Sequence, residues 1–235
     1  MSANKARAEP EIGATRWIAA ADVTALRQAA SQRIVDAAGR AIGQRGRFLI
    51  VLAGGNTPRG VYDLLRAAST DWSRWHVYFG DERCLPPAHA ERNSRMAADV
   101  WLERVPIAHD YLHVIPAELG AAAAAQRYAE TLRGVGDFDL VLLGLGEDGH
   151  TASLFPGHDW GDTPDAPDVL AIIDAPKPPL ERVSLSAVRL SRAREVLFLV
   201  EGESKRDAVA RWKMGERIPA RAIHAHAGVD VLMHL

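Results

Sequence analysis

Apolar residues along this chain fall into two patterns, short near-continuous runs and longer stretches spaced three and four apart. The runs at 48–53 (FLIVLA), 75–79 (WHVYF), 140–143 (LVLL) and 196–200 (VLFLV) have the length and aliphatic character of strands buried on both faces. Shorter runs at 112–115, 169–173 and 183–185 predict three more strands, and the tail over 222–233 predicts an edge strand. Between the runs the spacing turns helical. Val23, Leu26, Ala30, Ile34, Val35 and Ala38 define one face of a helix over 22–42, with Asp22 placed to cap it and Gly43 or Gly46 to end it. A second helix follows Pro58 and carries Val61, Tyr62, Leu64 and Leu65. A third runs from Asn93 through Ala97, Val100, Trp101 and Leu102, and residues 118–132 and 203–212 form two more. Residues 156–167, rich in proline, glycine and aspartate, read as loop. Strands alternating with helices predict an α/β fold: a single domain on a mostly parallel, doubly wound sheet flanked by helices, Rossmann-like in outline. Residues 1–15 mix charge with small residues and a proline and are expected to be disordered, leaving 16–235 as the domain.

The strand at 140–143 runs into three glycines within six residues, Gly144, Gly146 and Gly149, with Asp148, His150 and Thr151 around the last. Polar side chains at the C-terminal edge of a parallel sheet face the crevice where such folds bind ligands. A histidine ordinarily titrates near neutrality and can give or take a proton there, which makes His150 the chemical centre. Asp148 either orients that imidazole, holds a substrate hydroxyl, or only shapes the turn. Residues 144–149 also fit the dinucleotide fingerprint G-x-G-x-x-G, with Asp168 about 20 residues on. The fit is poor: the match lies past the middle of the chain, and Glu147 and Asp148 stand where a pyrophosphate must approach.

A second glycine turn, Gly54-Gly55-Asn56-Thr57, joins a strand to a helix, where free backbone N–H groups and the helix dipole attract an anion. Arg83 closes another strand and Lys205 opens a helix, as expected of a phosphate pocket, although each also reads as an ordinary surface charge. Asp81 and Glu82 read as structural partners of Arg83.

Composition narrows the function. A net charge of −2 over 235 residues offers no general field for nucleic acid or an anionic membrane. The single cysteine, Cys84, excludes an internal disulfide framework. No apolar run approaches the ~20 residues of a membrane span, so the expectation is a cytoplasmic protein with no membrane or nucleic-acid partner. Histidine spacing never matches H-E-x-x-H and no G-x-S-x-G elbow occurs, so neither a metal nor a serine nucleophile is expected.

The segment LGLGEDGHTASLFPG at 143–157 resembles the 6-phosphogluconolactonases, single-domain enzymes of the glucosamine-6-phosphate isomerase/deaminase superfamily. LAGGNTP at 52–58, GDER at 80–83, the stretch from Pro176-Lys177-Pro178-Pro179 to Arg182-Val183-Ser184-Leu185, and GESK at 202–205 agree in order and spacing. The resemblance covers almost everything from Trp17 onward. It implies a hydrolase of a sugar-phosphate lactone; no cofactor is expected, and a monomer is taken as the default because the sequence does not give the oligomeric state. Gly54, Gly55, Asn56, Thr57, Arg83 and Lys205 would surround the phosphate, with Arg182 near the ligand. His150 would act as general base on water, and Gly146 and Gly149 would either offer backbone N–H groups to the oxyanion or serve only as loop backbone. Glucosamine-6-phosphate deaminases of the same fold show a DGHIAFNEPG-like segment and a DEY-like strand end. Here Leu154-Phe155 replaces the Asn-Glu pair and the strand end reads DERC. A non-catalytic sugar-phosphate sensor would need a DNA-binding domain, for which the stretch before Trp17 is too short.

Overall fold

The computed structural model describes residues 15–235; the expectation for residues 1–14 lies outside that span, and Thr15 already belongs to a strand. In chain order the first elements are β1 (Thr15–Ala19), α1 (Val23–Arg45), β2 (Phe48–Leu52), α2 (Asn56–Leu65), β3 (Trp75–Phe79) and β4 (Asp81–Arg83). Then come α3 (Asn93–Val100), β5 (Leu112–His113), α4 (Ala121–Thr131), β6 (Phe138–Gly144) and β7 (Val169–Ile172). The chain finishes with β8 (Arg182–Leu185), α5 (Ala187–Ser191), β9 (Ala193–Glu201), α6 (Arg206–Lys213) and β10 (Val229–His234).

Local chemistry sets the boundaries. The Asp22 carboxylate accepts the Ala25 N–H at 2.7 Å to cap α1, and Gly46 closes that helix at a φ of 73°. β2 is buried at every position, as is β6 up to Leu143, which is why both read as unbroken apolar runs. Seven parallel strands form one sheet in the order β1-β10-β9-β6-β2-β3-β5. From β2 the chain winds outward through β3 and β5. It then returns to the other side of β2 and winds through β6, β9 and β10. Strand order reverses between β2 and β6, and a crevice opens there beyond their C-terminal ends. Two buried tyrosines fix the backbone at its mouth. The Tyr62 hydroxyl accepts the Ala53 N–H and donates to the Ala53 carbonyl, at 3.0 and 2.8 Å. Tyr128 does the same for Phe79, at 3.0 and 3.2 Å. Burial raises the pKa of both phenols, so they stay protonated and keep both roles.

Three expectations are corrected. The tail strand is interior: β10 lies between β9 and β1, and the edge is β1, whose TRWIA sequence holds only the short run Trp17-Ile18-Ala19. The strands at 169–173 and 183–185 leave the main sheet and, with β4, build a separate antiparallel sheet in the order β4-β8-β7. The helices expected at 118–132 and 203–212 each begin with a tight turn, Ala117–Leu119 and Glu203–Lys205, before α4 and α6 start.

Away from the crevice, His76 and His113 stack with rings 5° from parallel between Tyr111 and Tyr78. Burial, followed by the Arg47 charge, lowers the His76 pKa; burial, followed by the neighbouring imidazole, lowers that of His113. As pH falls below the ordinary value of about 6.5, the unfolded chain takes up protons before the folded one does. Stability present above that value is therefore lost on acidification. The urea midpoint should fall further between about pH 7.5 and 5.5 for the wild-type protein than for His113→Phe, which keeps a stacked ring without titrating. Equal falls would show that the stack does not carry this dependence.

Candidate functional site

A cavity of about 240 Å³ occupies the crevice. Its β6 wall is the turn Leu145 to Ala152, where His150 is held on three sides. Its Nδ1 lies 2.5 Å from the Asp148 carboxylate, which also accepts the His150 N–H at 3.1 Å. Burial alone would raise the Asp148 pKa, but the His150 N–H, the imidazole charge and the ring hydrogen bond outweigh it, and the net shift is downward. Two lone pairs cannot face each other at that distance, so Nδ1 carries the proton and a neutral ring leaves its lone pair on Nε2. The second side is Gly146. A Cβ there would lie 2.0 Å from Nδ1 and 2.2 Å from Cε1, so the imidazole occupies the space a side chain would need. The third is the Phe155 ring, 5.0 Å away centroid to centroid.

The turn is closed by its own bonds. The Gly146 N–H donates to the His150 carbonyl at 2.8 Å, and the Gly149 N–H to the Gly146 carbonyl at 3.0 Å. Both N–H groups expected to meet an oxyanion are thus already engaged, and that expectation is corrected. Thr151 ties the turn to the strand end through its hydroxyl, which donates to the Gly144 carbonyl at 2.8 Å. Ala152 is held at a φ of 48°, a left-handed conformation uncommon for a residue with a side chain. From outside, Arg211 donates to the Asp148 carbonyl at 3.2 Å and the Ala220 N–H to that of Gly149 at 3.1 Å.

Free donors lie on the opposite wall. α2 begins at Asn56 with Gly55 as its cap and no side-chain capping bond. The N–H groups of Gly54, Gly55, Asn56 and Thr57 meet no acceptor among the described residues. Gly54 and Gly55 line the cavity; the Asn56 and Thr57 side chains do not.

The cationic wall comes from the small sheet. β4 and β8 are antiparallel, with Arg83 directly opposite Arg182, a like-charged pair that costs stability unless an anion joins it. Arg83 donates to the Glu91 carbonyl, while its Nε is buried without a partner. Arg182 donates to the carbonyls of Pro179 at 3.1 Å and Lys177 at 3.0 Å and lies 5.5 Å from the Phe155 ring centroid. Burial lowers its pKa, with Asp81 opposing and Arg83 reinforcing the shift. Lys177 and Lys205 also line the cavity.

Asp81 and Glu82 do not pair with Arg83. Glu82, fully buried, accepts the N–H groups of Arg83, Asn93 and Ser94 and the Ser94 hydroxyl at 2.6–2.9 Å, with Arg92 Nε 3.5 Å away. It therefore caps α3 and neutralises a buried guanidinium. Asp81 accepts from the Asn93 side chain at 2.9 Å and from the Ser153 hydroxyl at 2.6 Å. Burial, then Glu181 against Arg92, pushes the Cys84 thiol up to about 11, which makes it a packing group and no nucleophile. Among the described residues no cluster of three or more His, Cys, Asp or Glu is placed to hold a metal ion, and no helix is long and apolar enough to cross a membrane.

Sequence reasoning missed Asn93, Ser153, Phe155 and Lys177. Three of these stand within the quoted motifs at 143–157 and 176–185, so proximity to His150 and Arg182 was the available signal. Asn93 had none, being 12 residues from the carboxylate that holds it.

The chain matches the family described as glucosamine-6-phosphate isomerases/6-phosphogluconolactonase over residues 21–232. A 6-phosphogluconolactonase of Mycobacterium tuberculosis is 38% identical over 203 residues, covering 80% of this chain and 82% of that protein. The chloroplastic 6-phosphogluconolactonase 3 of Arabidopsis thaliana is 36% identical over 201 residues, 77% of this chain; the matched part spans 62% of the plant protein's length. The crystal structure of a 6-phosphogluconolactonase from Thermotoga maritima aligns with a TM-score of 0.86 at 26% identity, over 94% of this chain and 99% of that one. The family match takes in both walls of the cavity, from the glycine loop after β2 to Lys205, and the chain that builds this site belongs to the glucosamine-6-phosphate isomerase and 6-phosphogluconolactonase family.

Proposed function

We propose that this chain hydrolyses 6-phospho-D-glucono-1,5-lactone to 6-phospho-D-gluconate, with His150 as general base. The observation that carries the reading is a single cavity lined by a carboxylate-oriented imidazole, by four cationic side chains and by Gly54 and Gly55 of a loop with free N–H groups. The substrate matches this division, with an ester to be hydrolysed at one end and a phosphate at the other. The relatives' shared name supports the same substrate.

The phosphate is held by the N–H groups of residues 54–57 together with Arg83, Arg182 and Lys205, which converts remote binding energy into orientation of the ring ester. His150 Nε2 takes a proton from water as the water oxygen bonds to the lactone carbonyl carbon. Negative charge developing on the carbonyl oxygen is stabilised by the cationic field of the cavity, since the Gly146 and Gly149 N–H groups are engaged. The imidazolium returns the proton to the ring oxygen as the carbon–oxygen bond breaks, and the acid product ionises. Asp148 holds the tautomer and stabilises the imidazolium. Deamination of an amino-sugar phosphate is disfavoured, because the positions that carry Asn-Glu in that pattern are the buried Leu154 and Phe155, the latter packed on His150.

The test is a coupled assay in which glucose-6-phosphate dehydrogenase supplies fresh lactone and 6-phosphogluconate dehydrogenase reports product. His150→Ala should lower kcat by about 10²–10⁴-fold with little change in KM. Unaltered turnover in that variant would remove His150 from the mechanism. A wild-type rate no faster than spontaneous hydrolysis would remove the activity itself.

A further inference from the structure

We infer that Asn93 is a specificity residue of this site, its carboxamide oxygen accepting a hydrogen bond from a ring hydroxyl of the lactone. The inference rests on the lactone reading of the cavity. Asn93 is the first residue of α3, only 4% exposed, yet it lines the cavity. Its Nδ2 donates to the Asp81 carbonyl at 3.0 Å and to the Asp81 carboxylate at 2.9 Å. Both partners only accept, so the end of the amide facing them must be the nitrogen. Oδ1 is thereby turned the other way, over Gly54, where a Cβ would lie 1.9 Å from it. A side chain at position 54 would displace this oxygen, which accounts for glycine there without any appeal to φ.

Among the described residues nothing donates to Asn93 Oδ1, although the rest of the side chain is held by two bonds and its own N–H by Glu82. Oδ1 opens on the cavity, so a bound molecule that displaces water from it must bring a donor of its own or leave the acceptor unpaired, which is costly. The chemistry of the substrate decides which part of it can do so. The phosphate and the lactone carbonyl present only acceptors to a carbonyl oxygen, whereas the ring hydroxyls present donors. Asn93 therefore reads a ring hydroxyl of the sugar, from a position beside Gly54. Sites built to bond a hydroxyl reject analogues that lack it far more strongly than apolar pockets reject a missing methylene.

A purely structural amide, stapling α3 to β4, would make a different prediction, and substrate analogues separate the two. Lactones lacking the 2-, 3- or 4-hydroxyl are generated by oxidising the corresponding deoxyglucose 6-phosphates and assayed against the wild-type enzyme, Asn93→Ala and Ser153→Ala. For one of the three analogues the wild-type enzyme should lose about ten- to hundredfold in kcat/KM. Asn93→Ala should be slower on the intact lactone yet lose little more on that analogue. Ser153→Ala removes the other side-chain bond to the Asp81 carboxylate without touching Oδ1 and should discriminate as the wild-type enzyme does. If Asn93→Ala does not fold, Asn93→Ser keeps a donor for Asp81 while removing the carbonyl oxygen. Discrimination in the folded Asn93 variant equal to wild type for all three analogues would overturn this inference alone. Failure of the wild-type enzyme to accelerate hydrolysis of the intact lactone would overturn the lactone reading with it.

Discussion

Gly146→Ala is expected to cost nearly as much turnover as removing the imidazole itself, about 10²–10⁴-fold in kcat. The new methyl would stand 2.0 Å from His150 Nδ1, 2.2 Å from Cε1 and 2.6 Å from Cγ, well inside van der Waals contact. The glycine's N–H is bonded to the His150 carbonyl at 2.8 Å, so the backbone has no easy retreat. The ring must swing away, and the 2.5 Å bond to Asp148 that sets its tautomer goes with it. KM should change little, because the phosphate cradle lies on the opposite wall. Steady-state kinetics with a melting curve as a folding control decide the matter. Wild-type turnover in a folded Gly146→Ala protein would mean that the imidazole works from some other position.

The second large effect is on stability. Glu82→Ala removes a fully buried carboxylate that accepts four donors and faces a guanidinium only 2% exposed. Arg92 would keep Glu118, at 2.7 Å, and the Ile115 carbonyl, but its Nε would face nothing, and the first N–H groups of α3 would lose their cap. Deleting one partner of a buried pair typically costs about 3–5 kcal/mol, a fall in Tm of roughly 6–20 °C at this chain length. Calorimetry on the purified variant measures it directly. A Tm within a degree or two of wild type would show that water replaces the carboxylate at no cost, contrary to its complete burial.

The features legible in the sequence share one property: their causes are local. Asp22 and Gly46 bound α1 through contacts within a turn, β2 and β6 announce burial by their own composition, and the glycines around His150 mark a tight turn by spacing alone. What stayed hidden depends on partners far along the chain. The sequence TRWIA is a strand because β10 offers it an edge. Glu82 looks like a neighbour of Arg83 but serves Arg92 and the start of α3, which fold back on it after a turn. The glycine turn suggested free oxyanion donors, yet whether its N–H groups are free depends on how the turn closes, and spacing does not encode that. Asn93 is the extreme case, since its value to the site lies in the direction its amide is turned.

The pairing of β1 with β10 joins residues more than two hundred positions apart, Thr15 beside Val229. In biosynthesis this means β1 has no neighbour in the sheet until β10, more than two hundred residues later, emerges. Until then the apolar β9 is itself the rim of the sheet, and both it and the waiting β1 are open to pairing with other chains. Completion of the sheet is thus a single late event that docks two strands together, and a message cut short before Val229 yields a chain missing not one strand but two.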